Sequence, residues 1–417
     1  MSRITEYLLS HKDEMTAFLG KLVAVPSIQS EASEEFPFGP EPAAALGLML
    51  DKCRESGFIV ENLCNYAGSA DIPGPVPELA ILSHLDVVPA GPGWKADPFT
   101  MREENGKLIG RGTIDDKGPA VAALFAAKAV KELAIPLKKG VRLIFGTNEE
   151  NGSADMAYYR SQRELPPMVF TPDGEYPVIN VEKGMLRVYF SAPFFGTDIS
   201  AGHVVNAVPE SCTVDDLTFC GRSAHASTPE KGENAITLFL SECQGDHPLI
   251  SGLRKLFPHG ETDGSSCGLG FSDDISGNTT CVLSMLNTIN GRLYGAVDIR
   301  FPVNRTKCEV SSIICKAIED AGFTVDSCEG AEPHCTDENS TFVQGLLKTY
   351  ERVTGDSGRC IAIGGGTYVH EIEGGVAFGA EFPGTDHNMH SAEEFLTVDE
   401  LLKNAELMAE AIVELCG

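Results

Sequence analysis

Two histidines and a set of carboxylates sit at the ends of apolar runs in this chain, where they could together hold metal ions. His84 and Asp86 close the run ELAILSHLD, and Glu149 and Glu150 close VRLIFGTNEE. Between them lies GRGTIDDKG with Asp115 and Asp116, and beyond them lie Asp173 in Pro-Asp-Gly and His390 in Met-His-Ser. Imidazole nitrogens and carboxylate oxygens are zinc donors. The number of acids points to two ions, not one.

Each piece alone has a plainer reading. Residues 84 and 86 would point to one face of a strand, and an aspartate there can accept the imidazole's other N–H. One of Asp115 and Asp116 could simply cap the helix that follows, which leaves the other as a ligand. The Glu149-Glu150 pair could be a solvated turn, Asp173 ordinary turn chemistry, and His390 a surface histidine. Their joint order is what argues for a site.

The elements that must position them alternate. ELAILSHLD reads as a buried strand, GPAVAALFAAKAVKELA as an Ala-rich helix, and VRLIFGTNE as a second strand. SADMAYYRSQ then reads as a helix and PMVFTPDG as a third strand. This order predicts an α/β fold, a mostly parallel sheet with helices on both faces, whose ligands bind beyond the carboxyl ends of the strands. The middle third differs. MLRVYFSAPF, CTVDDLTFCG and RLYGAVDIRFP are β-like and are interleaved with the helical ENAITLFLSECQ and TKCEVSSIICKAIEDAG. That predicts an inserted α+β lid domain over 184–330, interrupting a discontinuous catalytic domain of 1–183 and 331–417. The stretch from Gly245 to Gly277 carries no motif that can be interpreted. The N-terminal MSRITEYLLSHKDEMTAFLGKLV is expected to form one amphipathic helix of the fold, not a targeting segment.

Composition narrows the partners. A formal net charge of -28 would repel phosphates, so neither a nucleic acid nor an anionic membrane is expected. No apolar run approaches the ~20 residues of a membrane span. The thirteen cysteines are odd in number and contain no CxxC pair, so reduced thiols and a cytoplasmic location are expected.

VPSIQSE, SHLDVVPAGPGW, GRGTIDDKGP, GTNEENGS, TPDGEYPVINVEKG, DIRFP and GGGTY occur in an order that resembles the co-catalytic zinc metallopeptidases. That family includes aminoacylases, carnosinases and desuccinylases, and the TPDGEYP and GGGTY stretches look like its PepV-type dipeptidases. The resemblance spans nearly the whole chain and implies two Zn²⁺ ions. His84 and Asp173 would hold one, Glu150 and His390 the other, and Asp115 would bridge them. Asp115 is chosen over Asp116 because relatives with a single acid keep the first position. Asp86 would orient His84, and Glu149 would be the general base that deprotonates a metal-bridged water. In the lid, the resemblance implies that His225 reaches over the metals, while Asn206 and Arg300 hold substrate polar groups. Arg300 suits a terminal carboxylate through bidentate hydrogen bonding. Read from the residues, Gly364 to Thr367, with Gly365 and Gly366 at its centre, could let backbone N–H groups approach a carboxylate, or could be a turn.

These readings predict a dinuclear zinc dipeptidase acting on short unblocked peptides. The alternatives are an N-acyl-amino-acid deacylase of the same family and, from another class, a non-catalytic binding protein on a peptidase fold. Manganese or cobalt could replace zinc at so carboxylate-rich a site. The lid is shorter than in PepV-type relatives and longer than in the simple dimeric members, so both a monomer and a homodimer are compatible with it.

Overall fold

The computed structural model describes residues 2–243 and 247–417. Met1, at the start of the expected N-terminal helix, lies outside them, as do Gln244, the last residue of one expected lid helix, and Gly245 at the head of the uninterpreted stretch. The chain divides into two compact units. One comprises Met1–Asn180, Thr336–Ile361 and Thr367–Gly417, and the other Val181–Cys335 and Ala362–Gly366.

The first unit is built on a mixed sheet, with the parallel strands expected from the strand-helix alternation at its centre. Pro77–His84 lies between Gly140–Gly146 and Met168–Thr171 and is parallel to both, and Val376–Ala377 extends the parallel set. Ile59–Leu63 and Ala67–Asp71 complete one side as antiparallel strands. Alternate side chains of a strand face opposite ways, and this decides the layers. Leu79 and Ile81 enter a core with the helices Lys117–Glu132 and Val398–Cys416. Ala80 and Leu82 pack instead with Met156 and Tyr159 of the helix Ala154–Gln162. The Lys117–Glu132 helix is buried on all sides from Lys117 to Val130, which its small alanines allow and its helix propensity favours.

The N-terminus departs from expectation. It forms two helices, Arg3–Ser10 and Lys12–Val23, broken at His11. There the ring Nδ1 of His11 lies 2.8 Å from the Tyr7 carbonyl oxygen, and the Ser10 hydroxyl donates to the same oxygen. Such local side-chain bonds compete with helix continuation.

The second unit carries a seven-stranded antiparallel sheet, in the order Leu217–Cys220, Ser211–Val214, Ile199–Ala201, Thr280–Ile289, Arg292–Phe301, Gly184–Pro193, Thr324–Ala331. Leu186, Val188, Phe190, Val297 and Ile299 face a core shared with Val310, Ile314 and Ile318 of the helix Lys307–Asp320. Asp298 and Arg300 alternate with these apolar positions and so belong to the opposite face. No helix among the described residues is long and apolar enough to cross a membrane.

Candidate metal centre

His84 is the last residue of its strand and is fully buried. Its Nδ1 lies 3.0 Å from the backbone carbonyl of Asp86, and its Nε2 lies 2.8 Å from Asp115 Oδ1 and 3.7 Å from Asp173 Oδ2. A carbonyl only accepts, so Nδ1 carries a proton in every form of the ring, and Nε2 is the nitrogen that would offer a lone pair to a cation once its own proton is lost. The Asp86 side chain, expected to orient His84, also stands beside Nδ1 and has a second task. Its carboxylate stands 3.5 Å from Nδ1, while its two oxygens accept the backbone N–H groups of Glu149 and Glu150 at 3.1 Å each. The strand ends at His84, so residue 86 is free of the pleat, and the Asp86 carboxylate anchors the Glu149 turn.

Asp115 spans the two histidines. Oδ1 faces His84 and Oδ2 lies 2.8 Å from His390 Nε2. Asp116 begins the following helix without capping it through its side chain. Its Oδ2 accepts the His84 backbone N–H at 3.0 Å, so the expected cap is replaced by a strut under His84. Glu394, which lies in none of the motifs above, accepts the N–H groups of Ile114 and Asp115 at 3.1 and 3.4 Å and forms a buried ion pair with Arg111. It fastens the His390 loop to the Asp115 turn.

Glu149–Asn151 form a single 3-10 turn. Carboxylate oxygens of Glu149 and Asp173 cluster with His84, and those of Asp115 and Glu150 form a second cluster with it. Glu150 Oε2 is also 3.3 Å from His390 Nε2. The turn is held from behind by buried Asp155, whose Oδ2 accepts from Thr147 N and Asn148 N at 2.6 and 2.9 Å and from the Tyr368 hydroxyl. Only glycine fits at 146, because a Cβ there would stand 2.0 Å from the Tyr368 oxygen. The sequence signal for this brace was the Tyr that follows GGGT.

His390 sits in a loop where it, Asn388 and Glu393 all have positive φ. That conformation is costly for non-glycine residues and turns the ring toward Asp115. At the base of this loop His387 is buried between Glu381 and Glu400, its Nδ1 and Nε2 3.2 and 3.0 Å from their oxygens. Burial opposes a charge on this ring, but the hydrogen bonds to Glu381 and Glu400 outweigh it and raise the pKa from 6.5 to about 9. A raised folded-state pKa stabilises fully below the unfolded value and is lost as pH rises through the folded one. His387 is therefore expected to contribute on the order of 2 kcal/mol below about pH 6.5 and nothing well above pH 9. The melting-temperature advantage of the protein over His387→Gln should shrink by several degrees across that window; a pH-independent difference would remove the imidazolium from the account.

The centre is crowded with negative charge. Burial first, and then neighbouring charges (Asp173 on Glu149, Asp115 on Glu150 and Asp173), push the pKa values of these three acids up. Asp115 is lowered despite its burial, by hydrogen bonds from His390 and His84. Burial disfavours charge on His84, yet the hydrogen bonds to Asp115 and Asp86 raise its pKa well above the ordinary value. Buried Glu150 Oε1 has no hydrogen-bond partner. A bare carboxylate oxygen and an imidazole nitrogen aimed among carboxylates fit a divalent cation, which would displace the ring proton and satisfy the oxygen.

The lid residues gather within the second unit. Ala207 pairs with His225 in a two-stranded ribbon, and Ala226 N donates to Asn206 O at 2.9 Å, so Asn206 and His225 are neighbours. Arg300 is committed differently from expectation. Its Nε and Nη2 donate to the two oxygens of buried Asp298 at 2.7 and 3.1 Å, and Nη1 donates to Gly364 O at 2.8 Å. The edge suited to a substrate carboxylate is filled by Asp298, which the i, i+2 spacing of DIR could have signalled. Gly365 and Gly366 continue from Gly364, and Thr367 begins a 3-10 turn over Tyr368–Glu371, its hydroxyl accepting from Val369 N.

The comparisons with known proteins agree with this architecture. The profile of peptidase family M20/M25/M40 matches residues 80–414. The Beta-Ala-Xaa dipeptidase of Lactobacillus delbrueckii subsp. lactis is 33% identical across 97% of this chain and 96% of that protein. Human carnosine dipeptidase 1 superposes with a TM-score of 0.67 at 17% identity, covering 99% of this chain and 98% of that one. The aminoacylhistidine dipeptidase of Vibrio alginolyticus gives a TM-score of 0.62 at 14% identity, with 96% of each chain covered. With the profile spanning most of its length and a relative this similar end to end, the chain belongs to peptidase family M20/M25/M40.

Proposed function

We propose that the protein is a dinuclear zinc dipeptidase that hydrolyses the amide bond of short unblocked peptides. One observation carries the reading: the two oxygens of Asp115 face two histidines, and each histidine has a further acid beside it, Asp173 at His84 and Glu150 at His390. These five residues would hold the ions. When bound, two divalent cations supply Lewis acidity to the scissile carbonyl and make water at the site more acidic. Glu149, beside ligand Glu150, takes a proton from the attacking water and gives it to the leaving amine as the C–N bond breaks. Asp86 and Asp116 position this machinery through backbone N–H groups. The near-full-length similarity to a Beta-Ala-Xaa dipeptidase supports a dipeptide substrate over an N-acyl amino acid.

His225 is proposed as the hydrogen-bond donor to the carbonyl oxygen as it gains charge, with Asn206 beside it. His225→Ala should keep the full metal content and lower kcat by roughly a hundredfold, with little change in KM. Normal turnover in that variant would remove His225 from the reaction. The substrate class is tested by incubating metal-loaded protein with dipeptides, a tripeptide and N-acetyl amino acids. Release of amino acids from dipeptides is expected; turnover confined to the N-acetyl compounds would replace the dipeptidase reading with a deacylase.

A further inference from the structure

We propose that Ser227 is a positioning residue that sets His225 as its Nε2–H tautomer, so that the lid imidazole presents a proton donor at Nε2. The functional weight of this assignment rests on the reading of His225 as the donor to the carbonyl oxygen. The tautomer itself follows from geometry within the lid unit alone.

The Ser227 backbone N–H donates to His225 Nδ1 at 3.3 Å, and the Ser227 hydroxyl oxygen lies 2.7 Å from the same nitrogen. A hydroxyl can donate or accept, so alone it would leave the tautomer open. A backbone N–H can only donate. Nδ1 is therefore the lone-pair nitrogen, the hydroxyl donates to it as well, and the proton of the neutral ring sits on Nε2. His84 shows the opposite selection by the same logic. There an acceptor-only carbonyl faces Nδ1 and leaves Nε2 to offer the lone pair. One histidine is prepared to ligate and the other to donate.

Ser227 is itself held in place. His225 is pinned on the ribbon opposite Ala207, and Thr228 N closes a turn on His225 O at 3.0 Å. Gly364 lies against Ser227, where a Cβ at 364 would come within 2.7 Å of the serine Cβ. The Gly364 carbonyl is tethered by Arg300, which Asp298 fixes in turn. This gives the glycine stretch and Arg300 a shared task. They form a backing that keeps Ser227 under the imidazole.

The test is long-range proton–nitrogen NMR on metal-loaded protein labelled with ring-¹⁵N histidine, at about pH 8 so that an ordinary imidazole is neutral. The His225 signals are assigned by their loss in His225→Gln. The protein is expected to show a lone-pair Nδ1 and a protonated Nε2. Ser227→Ala should shift His225 toward a mixture of tautomers and lower kcat roughly fivefold with metal content unchanged, and Ser227→Thr should restore both. Gly364→Ala, which displaces Ser227 without removing it, should give the same spectral change. A protonated Nδ1 in the unaltered protein, or a tautomer indifferent to Ser227→Ala and Gly364→Ala, overturns the proposal. Those outcomes are separate from the kinetics of His225→Ala: the tautomer can stand if His225 proves dispensable, and His225 can matter if Ser227 does not set it.

Discussion

Glu149→Gln is expected to bind metal like the unaltered protein and to lose roughly a thousandfold in kcat, since general acid–base groups contribute about 10²–10⁴. The substitution keeps the side chain's size and its place in the 3-10 turn, where Asp86 holds the 149 and 150 backbone N–H groups. It removes only the capacity to carry a proton. Glu150 is the contrast. Its oxygen lies 3.3 Å from His390 Nε2 and clusters with Asp115, so Glu150→Gln should lower metal content as well as turnover. The Glu149 carboxylate also clusters with His84 and Asp173, which makes metal analysis of both variants the decisive measurement. Metal loss in Glu149→Gln equal to that in Glu150→Gln would make residue 149 a ligand and leave the proton carrier to be found elsewhere.

Asp115→Ala should weaken binding at both metal positions by more than about a hundredfold, because one carboxylate faces both histidines. Two histidines would then be left without their shared acid. Asp116→Ala should behave differently. Its carboxylate reaches the His84 backbone and not the ring nitrogen, so removing it loosens one ligand and should cost roughly tenfold in affinity, chiefly at the position His84 serves. Titration of metal-free variants with zinc, read by calorimetry, separates the two. Equal losses, or a greater loss in Asp116→Ala, would transfer the bridging role to residue 116.

Much of the architecture is legible in the amino-acid sequence alone. The alternation of strand and helix signals from Glu78 to Gly174 is a local property, as is the period-two burial that sends Leu79 and Ile81 one way and Ala80 and Leu82 the other. Placing His84, Glu149 and Asp173 at one end of a parallel sheet needed nothing more, because parallel strands joined by helices end on the same side. The lid's antiparallel sheet with helices on one face followed from the same kind of pattern. What the chain did not disclose was which atom of each residue faces which partner. Asp116 supports His84 from 32 positions away, and Glu394 reaches Asp115 across 279. The break at His11, the Asp86 carbonyl facing His84 Nδ1, and the capture of Arg300 by Asp298 are likewise choices of rotamer and loop path. Periodicity places a side chain on a face, but a hydrogen bond needs a partner within about 3 Å in the right direction. Only the folded chain supplies that partner, and at this site partner identity decides the chemistry: a carbonyl beside Nδ1 leaves His84 a lone pair to offer, and an N–H beside Nδ1 leaves His225 a proton.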